Sequence, residues 1–158
     1  MGYSSHGNGM WVISDLKKFG KGAIIECSTK IFHADRVEIG AGTYIGNQCI
    51  LKGYPYGGGL KIGDRCWIGE NVYLHGAGGI NIHDRVGIGP NVTILTSEHD
   101  ILGNSPLLDN PISFQGVTTK SQAAPPNSLH KEGSGLTEAT LCLLPSIISL
   151  GTCFVRPT

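Results

Sequence analysis

The stretch from Ile62 to Leu74 reads IGDRCWIGENVYL, and it carries an aliphatic residue at every sixth position. Glycine follows the first two of these aliphatic residues, and a small residue stands four places after each. An α-helix would space its apolar residues near 3.6, and a hairpin sheet would break after each strand, so neither accounts for a sustained interval of six. The stretch therefore predicts a repeat architecture.

The interval of six extends outward from this stretch in both directions. Aliphatic residues recur at Ile25, Ile31, Val37, Ile39, Ile45, Leu51, Ile62, Ile68, Leu74, Ile80, Ile82, Ile88 and Ile94. Glycine follows five of these thirteen, at Gly40, Gly46, Gly63, Gly69 and Gly89. We expect a triangular coil with one short strand and one corner per hexad, aliphatic residues inward, and glycine where the chain turns or passes close to a neighbouring coil. The apolar interior of each coil is covered only by the coils stacked above and below it, so a single coil would not be stable by itself.

Composition and charge limit the class of protein. The chain has 158 residues, 24 of them glycine, with 12 Lys plus Arg against 12 Asp plus Glu. This length favours one domain, and the lack of a G-X-Y period excludes collagen. A net charge of zero without a basic cluster argues against nucleic acid or an anionic membrane surface as partner. Five cysteines without a C-x-x-C pair indicate neither a disulfide framework nor a zinc knuckle. No segment reaches the ~20 consecutive apolar residues that a membrane span requires. We therefore expect a cytoplasmic protein.

Two segments resemble a known family: residues 62–72, IGDRCWIGENV, and residues 86–100, VGIGPNVTILTSEHD. Over roughly residues 25–120 the chain resembles the bacterial hexapeptide-repeat acetyltransferases, and most of all the maltose, galactoside and polysaccharide O-acetyltransferase group. The resemblance implies an all-β, left-handed parallel β-helix that assembles as a homotrimer with active sites between subunits. It further implies acetyl-CoA as the co-substrate and O-acetylation of a sugar or polysaccharide-precursor hydroxyl within a ternary complex.

His99 is the predicted catalytic residue. It follows Ile94, where the regular hexads give way to a polar stretch, and loops on rigid scaffolds often carry catalytic groups. Transfer to a hydroxyl requires removal of its proton, and an imidazole suits that task at neutral pH. From spacing alone a solvated turn histidine is an equal alternative; the family resemblance favours His99 as general base. Glu98 and Asp100 are candidates for orienting its ring.

Substrate-binding candidates come from the corners. His75 begins a glycine-rich corner at which the family resemblance would place an asparagine that contacts the acceptor, and Asn91 repeats the slot of Asn71 one coil later. The alternatives are a solvated histidine and a corner role for the asparagine amide. A backbone N–H at a glycine-rich corner would stabilise the developing oxyanion. Cys49 and Cys66 occupy the small inward slot, which indicates buried structural thiols.

A zinc enzyme is the alternative with a different chemistry. Some β-helices of this type resemble carbonic anhydrases with a three-histidine zinc site, for which His75, His83 and His99 would be the candidates. Their spacing does not match that pattern, and the sequence offers no evident partner for the second nitrogen of each ring. We therefore expect no metal.

The end of the chain lacks the hexads. We expect a β-helix from about Ile25 to Ile94 and a loop from His99 to Lys120, which together make residues 1–120 one domain. We expect residues 121–158 to form an atypical tail, poorly ordered or loosely docked, in which Leu144-Pro145 and Leu150-Gly151, six apart, echo a hexad. Three explanations for this loss of hexads remain open: an amphipathic cap, a degenerate last coil and a change of reading frame. Hexads in another reading frame of the DNA would identify the third. Because the family resemblance places part of the coenzyme A groove here, a catalytically impaired or truncated member acting as a structural, trimer-forming subunit is an alternative function.

Overall fold

A computed structural model describes residues 5–55, 57–99, 111–121 and 139–140. Apart from two short 3-10 helices, Ile13–Asp15 and Ala34–Arg36, its regular structure consists of β-strands. Most of these strands belong to three parallel sheets, here called faces A, B and C, which the chain visits in turn. This architecture is a parallel β-helix of about four coils and confirms the predicted class, the left-handed hexapeptide β-helix.

The strands follow one another in the order of the faces. Coil 1 contains β1 (Lys18–Phe19), β2 (Ile24–Ile25) and β3 (Lys30–Phe32), and coil 2 contains β4 (Val37–Ile39), β5 (Tyr44–Ile45) and β6 (Ile50–Lys52). Coil 3 contains β7 (Leu60–Ile62), β8 (Trp67–Ile68) and β9 (Tyr73–His75), and coil 4 contains β10 (Ile80–Ile82), β11 (Gly87–Ile88) and β12 (Thr93–Leu95). Four further strands are β13 (Ser97–His99), β14 (Ile112–Phe114), β15 (Val117–Ser121) and β16 (Ala139–Thr140).

Each coil is longer than three hexads. Lys18 pairs with Glu38, and Leu60 pairs with Ile80, so the register advances by 20 residues from coil 1 to coil 2 and from coil 3 to coil 4. From coil 2 to coil 3 it advances by 23 residues, as in the pairing of Val37 with Leu60, because residues 53–59 make a longer corner. The two extra residues lie on face A, where three-residue strands such as Val37–Ile39 turn both end residues inward because side chains alternate along a strand. This alternation explains the two-residue steps in the sequence pattern.

The inward residues form one continuous core. The hexad aliphatic residues from Ile31 to Ile94 are all buried, as are the small residues Thr29, Thr43, Cys49, Cys66, Val72 and Val86. Burial raises the pKa of the Cys49 and Cys66 thiols, and the Cys49 Sγ lies 3.1 Å from the carbonyl oxygen of Gly69. The prediction that these two cysteines are structural agrees with their positions in the core.

Three corners join the faces. Corner AB contains residues 20–23, 40–43, 63–66 and 83–86, and corner BC contains residues 26–29, 46–49, 69–72 and 89–92. Corner CA contains residues 33–36, 53–59, 76–79 and the long connection 96–116, of which 100–110 and Tyr56 lie outside the described residues. Residues 53–59 are an insertion at corner CA, and they account for the gap of eleven positions between the hexad residues Leu51 and Ile62.

The ends of the β-helix differ from the sequence prediction. The first coil begins at Lys18, upstream of Ile25, since Phe19 occupies the inward position that Ile39 occupies in the next coil. The sequence pattern did not detect this strand because it counted only aliphatic residues. The connection after coil 4 contains the antiparallel pair β13–β14 and ends at Gly116, not at Lys120. The chain then returns to face A, where β15 pairs in parallel with β10. The strand was missed because Thr119 stands where a hexad would have an aliphatic residue.

The tail lies largely outside the described residues. Of residues 121–158 the structure describes only Ser121, which ends β15, and β16, which pairs antiparallel with β15. The prediction of a poorly ordered or loosely docked tail therefore stays a prediction. No helix within the described ranges has the length and apolar character needed to cross a membrane.

Candidate active site

His75, Glu98 and His99, three of the five predicted site residues, lie at corner CA or on the connection that leaves it. His75 ends β9 and opens the glycine run Gly76–Gly79, while His99 ends β13, which leaves the same corner one coil later. Thr96 joins the two parts. Its hydroxyl donates to the carbonyl oxygen of His75 at 2.5 Å and accepts from the N–H of Gly78 at 2.7 Å. The connection that carries His99 is thus anchored to the corner that carries His75.

His99 stands on a projecting pair of strands. It pairs with Ile112 of β14, and three residues at about 3.3 Å each place it roughly 10 Å from Thr96 along the strand. Ile112 and Phe114 are exposed, so this antiparallel pair reaches beyond the coil. The His99 side chain is half-buried.

The structure describes only one of the two carboxylates predicted to orient the His99 ring. Glu98 faces the opposite side of β13, because successive side chains of a strand alternate, and this disfavours direct contact with the His99 ring. Asp100 lies outside the described residues. The orienting role of either carboxylate remains a prediction.

His75 is half-buried rather than solvated, which corrects the simpler expectation for this residue. Its Nε2 lies 2.7 Å from the hydroxyl of Tyr54, and the two rings are 4.4 Å apart between centroids. Its Nδ1 is buried and has no hydrogen-bond partner among the described residues. Since a buried polar atom without a partner is costly, His75 sits in an environment that an ordinary surface turn would not provide.

Burial and charge favour the neutral form of the His75 ring. Burial is the largest cause that lowers the pKa of His75, and the positive charge of Lys52 lowers it further. Lys52 pairs with His75 across face C, and its Nζ lies 5.3 Å from the Phe32 ring centroid and 5.8 Å from that of Tyr73. The cation is therefore held over aromatic rings, where the attraction of a ring for a cation stabilises it.

This lowered pKa predicts how stability depends on pH. Between its ordinary value of 6.5 and the lower folded value, the unfolded chain binds more protons at His75 than the folded chain. The free energy of unfolding should therefore fall as the pH drops below about 6.5, until the folded-state pKa is reached. Denaturant unfolding between about pH 8 and pH 5 would measure this slope. His75→Gln should flatten it and Lys52→Gln should reduce it; an unchanged slope in His75→Gln would contradict the assignment.

Two other candidates lie on other corners. Asn91 is on corner BC, where its Oδ1 accepts from the Asn71 Nδ2 at 2.7 Å, as the alternative of a corner role predicts. His83 is exposed on corner AB. His75 and His99 therefore share corner CA without His83, and the described residues contain no group of three or more His, Cys, Asp or Glu side chains that could hold a metal ion.

A groove of about 410 Å³ runs beside corner CA along the outer side of face A. Its walls include the backbone of Gly58, Gly59, Gly78, Gly79 and Gly116, together with the side chains of Lys17, Arg36, Glu38 and Lys61. A hydrogen bond from Lys17, at 2.7 Å between Nζ and Oε1, lowers the pKa of Glu38. Three cationic side chains against one carboxylate make the groove suited to an anionic ligand.

Comparison with known proteins relates this fold to a solved enzyme. No protein-family model and no curated protein sequence matches the chain. Among solved structures, the fold is similar to AntD, an N-acyltransferase from Bacillus cereus, in complex with dTDP and 3-hydroxybutyryl-CoA, with a TM-score of 0.58 and 21% identity over 70% of this chain and 63% of AntD. An AntD variant with dTDP-4-amino-4,6-dideoxyglucose and coenzyme A has a TM-score of 0.58 and 22% identity over 66% of this chain and 57% of that one. The chain thus spans less than two thirds of the length of AntD, and the likeness establishes the fold.

Sequence reasoning missed Tyr54, Lys52 and Thr96. Lys52 pairs with His75, so the insertion that starts after Lys52 lies beside His75 at corner CA. The position of this insertion was the one sequence signal that could have pointed to Tyr54 as a neighbour of His75. Tyr54 itself was hidden because the Tyr-Pro-Tyr-Gly stretch is typical of a turn. Thr96 could have been suspected only as the first polar residue after the last hexad.

Proposed function

We propose that this chain transfers an acetyl group from acetyl-CoA to a hydroxyl of a sugar or polysaccharide precursor, with His99 as general base. The observation that carries the proposal is the anchoring of the His99 strand, through Thr96, to the glycine-rich corner that holds His75. The likeness to the fold of AntD supports acyl transfer from a coenzyme A thioester as the reaction class.

The proposed reaction needs three groups at corner CA. His99 takes the proton of the acceptor hydroxyl as its oxygen attacks the thioester carbonyl carbon. The carbon–sulfur bond then breaks, and the thiolate of coenzyme A leaves and takes up the proton. A backbone N–H of the glycine corner would stabilise the oxyanion of the intermediate. His75, held by Tyr54, would contact the acceptor.

The groove beside corner CA is our candidate for the donor. Its glycine backbone leaves room for a narrow chain such as pantetheine, and Lys17, Arg36 and Lys61 would attract the phosphates. Since the family resemblance implies active sites between subunits, we expect a homotrimer in which a neighbouring chain completes the groove. Light scattering after size-exclusion chromatography measures that assembly.

An amine is the second candidate acceptor. AntD is an N-acyltransferase solved with an amino sugar, so the same corner in this chain would serve a sugar amine in place of a hydroxyl. Paired nucleotide sugars that carry a hydroxyl or an amine at the same carbon discriminate the two acceptors.

Binding and turnover together test the proposal. Coenzyme A at about 100 times its Kd should raise the free energy of unfolding by about 2.7 kcal/mol, seen as a higher melting temperature. Thiol release from acetyl-CoA should then depend on an added sugar acceptor. A chain that shows neither a shift nor thiol release is inert as an acyltransferase, and the structural-subunit alternative would replace this proposal.

A further inference from the structure

The outward side chains of face A form a column in which lysine and glutamate alternate over the first three coils. Glu38 pairs with Lys18 in coil 1 and with Lys61 in coil 3. Lys61 in turn pairs with Asn81 in coil 4, and Thr118 on β15 continues the column. Because neighbouring strands lie about 4.8 Å apart, the Glu38 side chain stands between two lysines of adjacent coils.

Lys17, the residue before β1, binds the same carboxylate. Its Nζ lies 2.7 Å from the Glu38 Oε1. The hydrogen bond from Lys17 is the largest cause that lowers the pKa of Glu38; burial opposes this shift, and the positive charges of Lys61 and Lys18 add to it. In the free chain Glu38 is thus an anion that three lysines share.

The groove beside corner CA therefore carries an anion of its own. Its cationic lining residues are Lys17, Arg36 and Lys61, and Glu38 is the one carboxylate in the part of the lining that the structure describes. Arg36 is partly engaged, because its Nη2 donates to the carbonyl oxygen of Gly57 at 2.7 Å. A phosphate that enters the groove would meet Lys17 already bound to a carboxylate.

The ion pair between Lys17 and Glu38 contributes little to the fold. The Lys17 side chain is 60% exposed, and exposed pairs of this kind add little to stability. Val37 and Ile39, the neighbours of Glu38 on β4, are fully buried on the opposite side of the strand and form the core there. Removing the charge of Glu38 should therefore change the groove and leave the coil intact.

We propose that Glu38 is an internal competitor of the donor: it holds Lys17 in the free chain and gives this lysine up to a phosphate oxygen when coenzyme A or its thioester binds. The inference rests on the proposed function, which assigns the groove to the donor. No covalent bond changes in this step. One charged hydrogen bond of the Lys17 ammonium replaces another.

The exchange sets the affinity of the groove. Donor binding must break the hydrogen bond between Lys17 and Glu38, and the freed carboxylate then repels the phosphates. The groove consequently binds the donor more weakly than its three cations alone would. Affinity differences of this kind fall mainly on the dissociation rate, so Glu38 should speed the release of coenzyme A after transfer.

Calorimetric titration of coenzyme A into the full chain tests the inference. Glu38→Gln should keep the parent melting temperature and bind coenzyme A at least about threefold more tightly, because the phosphates no longer face a negative charge. The dissociation rate of coenzyme A should fall by a similar factor. Glu70→Gln is the matched control: Glu70 is exposed on corner BC, away from the groove, and its loss should leave the affinity unchanged.

A double-mutant cycle shows whether the competition takes place at Lys17. Lys17→Met should weaken coenzyme A binding, because the groove loses a cation. In the Lys17→Met chain the further change Glu38→Gln should give a smaller gain in affinity than in the parent, since there is no shared lysine left to release. An equal gain in both backgrounds would mean that Glu38 acts only through its general charge, and it would overturn the proposal.

The remaining outcomes separate this inference from the proposed function. Equal affinity of the parent and Glu38→Gln would overturn the inference alone. Weaker binding by a folded Glu38→Gln would overturn it too, because Glu38 would then hold Lys17 where the donor needs it. A lack of coenzyme A binding in every variant would overturn both the inference and the donor site. Affinities that follow the expectation without thiol release would support the inference and contradict acyl transfer.

Discussion

Replacing His99 with alanine is expected to slow acyl transfer about 10²- to 10⁴-fold, the usual contribution of a general base. The effect should fall on turnover, because the acceptor oxygen would attack without losing its proton to the protein. The variant should retain the parent melting temperature, since His99 lies on the projecting β13–β14 pair outside the core. Steady-state thiol release with a saturating acceptor measures the change.

His83→Ala is the matched control for this experiment. His83 is exposed on corner AB, away from the corner that holds His75 and His99, so its loss should leave turnover unchanged. Wild-type turnover in His99→Ala would show the general-base assignment to be wrong. Equal losses in both variants would instead favour the three-histidine zinc enzyme, and metal analysis of the purified protein would then decide.

Ile68→Ala should lower the free energy of unfolding by about 2 to 5 kcal/mol. Ile68 is fully buried on β8, with Ile45 in the coil below and Ile88 in the coil above. Truncation leaves a cavity in the middle of the stack, and the backbone ladders on both sides prevent the coils from closing it. Urea unfolding followed by circular dichroism measures the loss.

Ile24→Ala makes the same chemical change on the same face. Ile24 belongs to β2 but is 55% exposed, so its truncation should change the free energy of unfolding by no more than about 0.5 kcal/mol. Similar losses in the two variants would mean that the inward and outward positions of face B have been assigned wrongly.

The coil itself could be predicted from local pattern. An aliphatic residue every six positions specifies which side chain turns inward on each short strand, and this requirement is repeated in every coil. The structure buries these residues as expected from Ile31 to Ile94. Gly40, Gly63 and Gly69 also lie where a Cβ would strike the neighbouring coil. Such constraints are visible in sequence because each coil meets the same neighbour in the same register.

Departures from the repeat could not be predicted in the same way. Phe19 and Thr119 occupy inward slots without being aliphatic, so β1 and β15 were not recognised at the two ends. Tyr54 and His75 are 21 residues apart and meet only because the insertion that follows coil 2 folds beside the end of β9 in coil 3. No local periodicity encodes a contact between an insertion and the next coil.

The hexads are local features of the chain and were sufficient to predict the coiled fold class, whereas His99 and His75 were singled out by the family resemblance at the polar break and the glycine-rich corner. The half-burial of His75 against Tyr54 and the anchoring of the His99 strand by Thr96 at the same corner are known from the three-dimensional structure alone. Burial and hydrogen bonding depend on which coil lies above or below a residue, and the stacking of segments that are distant in sequence sets that relation.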